Sequence, residues 1–117
     1  MSSKVLVVDD TSFVRMMIRH VLMNLGQIDI LEATNGIEAV QFYKENKPDL
    51  TILDITMPEL DGLSALKEII TFDPTAKVIM CSAVVHVFKE ASAIGAVDFV
   101  AKPFRPDDLK KIIIKHL

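Results

Sequence analysis

The chain has 117 residues, half of them hydrophobic and a quarter charged, with 13 basic against 16 acidic side chains and a formal net charge of −3. That composition supports one folded domain, here expected to span residues 1–117. It excludes disorder and, lacking a basic excess, argues against direct nucleic-acid binding. The lone Cys81 forms no internal disulfide, which fits a reducing cytoplasm. No apolar stretch approaches the ~18 residues of a membrane span, and Met1-Ser2-Ser3-Lys4 does not read as a signal peptide. A soluble, cytoplasmic protein without membrane insertion is expected.

In chain order, Val5-Leu6-Val7-Val8 is a first apolar run. Val14, Met17, Ile18, Val21 and Leu25 then follow at helical spacing. Ile28 to Ala33 is a second run, and Asn35-Gly36 opens a helix marked by Ala39, Val40 and Tyr43. Leu50 to Leu53 precedes a third helix through Leu63, Leu66 and Ile70. Val78 to Cys81 precedes a short fourth helix through Val87, Ala91 and Ile94. Val97 to Ala101 precedes a fifth, started by Pro106-Asp107-Asp108 and marked by Leu109, Ile112 and Ile113. Gly26 and Gly95 stand where helix C-caps are expected. The six methionines read as core filler. His20, His86 and His116 are too scattered to suggest a metal site and read as surface or packing residues.

Continuous Val- and Ile-rich runs suit strands buried on both faces, and the β-α unit repeats five times. The expected fold is therefore α/β, a five-stranded parallel sheet with helices on both faces and right-handed crossovers. In such sheets ligands bind beyond the carboxyl ends of the strands. There the sequence places Asp9-Asp10 after the first run, Asp54 after the third, Ser82-Ala83 after the fourth and Lys102-Pro103 after the fifth. Clustered carboxylates invite a cation, and oxygen-only ligands select a hard one such as Mg²⁺. A lysine and a hydroxyl beside them suit phosphoryl oxygens. Metal, cation, donor and nucleophile are the parts that move a phosphoryl group onto a carboxylate.

These residues, with Asp54-Ile-Thr-Met57-Pro58-Glu-Leu-Asp61-Gly62, Gly95-Ala96 and Lys102-Pro103-Phe104, make the chain resemble receiver domains of two-component response regulators from Val5 to Ile114. Within that family the resemblance is to the stand-alone chemotaxis type. It implies the flavodoxin-like strand order 2-1-3-4-5. It also implies Asp54 as phosphoacceptor, with Asp10 and Asp54 as direct Mg²⁺ ligands helped by the Thr56 backbone carbonyl. Asp9 would act through a metal-bound water, Ser82 and Lys102 would hold the phosphoryl group, and Ser82 and Phe99 would be the switch residues. Met57-Pro58 and Asp61-Gly62 would shape the loop into the third helix, and the Lys102–Pro103 peptide would be cis. Implied partners are a histidine kinase as phosphodonor, a phosphatase, and a target on the face of helix four, strand five and helix five. The chain would catalyse only its own phosphotransfer and dephosphorylation. One departure stands out: Ser82 to Gly95 is about two residues shorter than usual, so the fourth helix should have only two to three turns.

Two other readings compete. Phosphatases of the haloacid-dehalogenase type also use an Asp nucleophile, Mg²⁺, a hydroxyl and a lysine. They carry a second Asp two residues later, where this chain has Thr56. The other is a receiver fragment of a larger transcriptional regulator, which by itself would bind no operator.

Overall fold

A computed structural model describes residues 3–55 and 61–117. Thr56, Met57 and Pro58, on which two expectations fall, lie outside the described residues. Five parallel strands, β1 (Ser3–Val8), β2 (Ile28–Ala33), β3 (Leu50–Asp54), β4 (Val78–Ser82) and β5 (Asp98–Ala101), form one sheet in the order β2-β1-β3-β4-β5. They alternate with α1 (Ser12–Met23), α2 (Gly36–Asn46), α3 (Gly62–Phe72), α4 (Phe88–Ile94) and α5 (Pro106–His116). The fold is the expected flavodoxin-like one.

Because successive strand residues point to opposite faces, each strand feeds two cores. Leu6, Val8, Leu53, Val78 and Met80 pack with α2, α3 and Ala91 of α4. Val5, Val7, Ile52, Ile79 and Cys81 pack with α1 and α5. Parallel register levels the carboxyl ends: Val8 pairs with Leu53, Asp54 with Cys81, and Ser82 with Ala101.

Local chemistry fixes the helix starts. Asn35 Oδ1 accepts from the Glu38 N–H at 2.8 Å, and Asp61 Oδ1 from the Ser64 N–H at 2.9 Å, satisfying donors that a helix leaves open. Pro106 enters α5 within its first turn, followed by Asp107 and Asp108. Gly95 ends α4 at φ 136°, a conformation that L side chains rarely adopt. The Lys102–Pro103 peptide is cis, as the resemblance implies.

Two details differ from expectation. α1 ends at Met23, and Gly26 lies beyond it in the turn to β2, because Asn24 and Leu25 close the helix by bonding Val21 and Leu22 carbonyls. Met80 is core, but Met16 and Met23 are 60% and 63% exposed. The spacing that turns Val14, Ile18, Val21 and Leu22 inward turns those two outward. The short fourth helix is as expected: α4 is seven residues long, preceded by one 3-10 turn at Val85–Val87, so the shortened segment gives about two α-helical turns.

Candidate functional site

Sheet register brings the strand-end residues together. One carboxylate oxygen from each of Asp9, Asp10 and Asp54 lies within 4.8 Å of the others. Asp9 and Asp54 are buried. Asp10 is exposed, and its carboxylate makes no hydrogen bond or ion pair among the described residues. Three converging oxygen donors, one open to solvent, fit a hard divalent cation that keeps part of its water shell.

Lys102 arrives from the far side of the sheet. Its Nζ donates to Asp9 Oδ2 at 2.8 Å and lies 3.2 Å from Asp54 Oδ1. Burial works against the ammonium, but the bond to Asp9 and the charges of Asp54 and Asp9 outweigh it and hold its pKa above the ordinary lysine value. Lys102 is therefore a fixed positive charge at physiological pH. Its own N–H donates to the Ser82 carbonyl at 2.9 Å, tying the ends of β4 and β5 together.

Ser82 is buried, and its Oγ accepts the Val84 N–H at 2.9 Å. That bond uses a lone pair and leaves the hydroxyl proton available to an incoming oxygen. Beneath the site, burial pushes the Cys81 thiol far up, so it is neutral packing. Gly62 closes the floor. Its N–H donates to the Ile55 carbonyl at 2.7 Å, and a Cβ there would overlap the Asp54 carbonyl oxygen.

Phe99 is half-buried on β5 and stacks on Phe88 of α4, with centroids 4.8 Å apart and planes 24° apart. Two neighbours of the site carried no sequence signal. Phe88 is one; the other is Arg15, whose Nη1 donates to the Asp9 carbonyl at 2.7 Å. Neither stands at a strand end, and the sequence alone gives neither a role at the site, since both act through tertiary contacts. The histidines stay away from the acid cluster: His20 and His86 are exposed, and His116 pairs with Asp98 at 2.8 Å.

The family model for the response regulator receiver domain matches residues 5–114. Over 117 residues the chain is 47% identical to chemotaxis protein CheY of Thermotoga maritima, covering 98% of each. It is 48% identical over 119 residues to chemotaxis protein CheY of Bacillus subtilis, covering 100% of this chain and 99% of that one. Among solved structures, the CheX-CheY-BeF3-Mg²⁺ complex from Borrelia burgdorferi superposes with a TM-score of 0.92 at 34% identity, covering 97% of this chain and 87% of the other.

Proposed function

The chain belongs to the response regulator receiver family, chemotaxis type, and from that premise we propose that Asp54 is the residue that accepts its phosphoryl group. The donor is the phosphohistidine of a histidine kinase. An Asp54 carboxylate oxygen attacks phosphorus, the new P–O bond forms as the P–N bond breaks, and the imidazole leaves and takes up a proton. Lys102 Nζ meets one phosphoryl oxygen, and the Ser82 hydroxyl donates to another. Asp10 and Asp54 would hold Mg²⁺ directly, with Asp9 in support; the Thr56 carbonyl expected to join them lies outside the described residues. The bound ion would neutralise charge on the transferring oxygens. The Borrelia relative was solved with CheX, BeF3 and Mg²⁺, which supports giving this chain a Mg²⁺ ion and a protein partner.

The output is a changed surface. Withdrawal of Ser82 and Lys102 toward the phosphoryl oxygens draws on β4 and β5, and Phe99 changes rotamer against Phe88. The target then meets the α4–β5–α5 face, where Ile114 is 54% exposed. We assign the chain to the cytoplasm, and we regard it as catalysing only its own phosphotransfer and dephosphorylation. A generic phosphate ester should not turn over, unlike with a haloacid-dehalogenase-type phosphatase.

The observation that carries this reading is the convergence of Asp54 with Asp9, Asp10 and Lys102. The test is Mg²⁺-dependent labelling from acetyl phosphate or a phosphorylated kinase. Wild type should label stoichiometrically and Asp54→Asn not at all; stoichiometric labelling of Asp54→Asn would overturn the assignment.

A further inference from the structure

Arg15 lies outside the acid cluster, yet its side chain bonds to the backbone that carries it. Nη1 donates to the Asp9 carbonyl at 2.7 Å, and Nε donates to Glu32 Oε1 at 3.1 Å. Arg19 pairs with the other Glu32 oxygen at 3.3 Å, so Glu32 at the end of β2 anchors both arginines. The Arg15 side chain is only 16% exposed, against 37% for Glu32, so its bond to the Asp9 carbonyl is the more sheltered of its two contacts.

The carbonyl it grips belongs to the peptide unit joining Asp9 to Asp10. That unit is planar, so holding its oxygen fixes where the Asp10 backbone departs. Asp9 is otherwise well held: its N–H donates to Ala33 at 3.2 Å, and its Oδ1 accepts the Thr11 N–H at 2.9 Å. Among the described residues Asp10 has no such side-chain partner, so the direction of its carboxylate depends on the backbone beneath it.

We propose that Arg15 is a positioning residue for the cation site, a strut from Glu32 to the Asp9–Asp10 peptide that pre-sets the Asp10 carboxylate. This rests on the reading of Asp9, Asp10 and Asp54 as the cation ligands. Only a guanidinium fits the task, because its planar fork reaches a carbonyl and a carboxylate at once.

Charge and geometry make opposite predictions here. Arg15 is a cation beside a cation site, so by Coulomb's law its removal should tighten metal binding. If the strut matters more, removal should weaken binding by roughly tenfold, the scale seen when partners of metal ligands are lost. The experiment is a Mn²⁺ titration of the full chain followed by electron paramagnetic resonance, well below the melting temperature measured in EDTA. Arg15→Met should weaken Mn²⁺ binding about tenfold, and Arg15→Lys, which keeps the charge but loses the fork, should also weaken it. Unchanged or tighter binding in Arg15→Met overturns the strut. If Arg15→Met fails to fold, Arg15→Lys decides: weaker binding with an unchanged melting temperature supports the strut, and wild-type affinity overturns it. Asp10→Asn and Asp54→Asn separate the two levels. Loss of binding in both upholds the ligand reading whatever Arg15 does. Wild-type affinity in both, or no binding by the wild type, overturns the ligand reading and the strut with it.

Discussion

Gly62 shows how little room the acid site leaves. A methyl group at this position would overlap the Asp54 carbonyl oxygen and press on the Ile55 backbone, neither of which can rotate away. Gly62→Ala should destabilise the fold by roughly 1–3 kcal/mol, as overpacking does, and should slow labelling by displacing Asp54. Denaturant midpoints and labelling rates check the two effects separately. Val84 is the opposite case, an exposed apolar side chain whose N–H is already bonded to Ser82. Hydrolysis of the phosphoryl group needs a water lined up behind phosphorus, and Val84 offers that water no hydrogen bond. The phosphoryl group should therefore outlast seconds without a phosphatase, and Val84→Gln should shorten its life; the decay of radiolabelled protein measures both. Asp9, Asp10, Asp54, Ser82 and Lys102 are legible in the sequence because each stands within two residues of the end of an apolar run. Arg15 and Phe88 are not, because a helix-surface arginine and one more apolar helix residue look the same whether or not they touch a site.

Among the elements, α4 is the weak one. It buries only Ala91, against Ile18, Val21 and Leu22 in α1, and seven residues give little helix stability of their own. Its hold on the sheet comes from partly buried Val87, Phe88 and Ile94 and from the Phe88–Phe99 stack. Amide hydrogens of α4 should exchange markedly faster than those of α1 and α5 by mass spectrometry; equal protection would contradict this. The strands were legible to within a residue or two, since buried parallel strands leave unbroken apolar runs. The apolar run places Val97 in the last strand, but β5 begins at Asp98. The end of α1 was less legible, because Gly26 is a turn residue and marks no helix terminus by itself.

Across the whole molecule, acid sensitivity follows from carboxylates on the side opposite the cation site. Partial burial works against ionised Asp98, but its bond with His116, the Phe99 N–H and the charge of Lys115 outweigh that and lower its pKa. Bonds from Thr75 and from the Tyr43 hydroxyl lower that of Asp73. In the unfolded chain an aspartate titrates near ~3.9. Below that value the unfolded chain binds protons that the folded one does not, so stability is full above it and falls as pH drops through the lowered values. Asp98→Asn should flatten this acid limb in thermal melts between about pH 4 and pH 2. The strand order carries a further consequence. Lys102 leaves the edge strand β5, passes beyond β4 and reaches acids on β1 and β3. It is a tether slung across half the sheet, fastened at Asp9 and Asp54. Anything that engages those two carboxylates competes for the fastening, and a phosphoryl group re-fastens the tether at a new point. The edge strand then feels the occupancy of the centre through one exchange of partners.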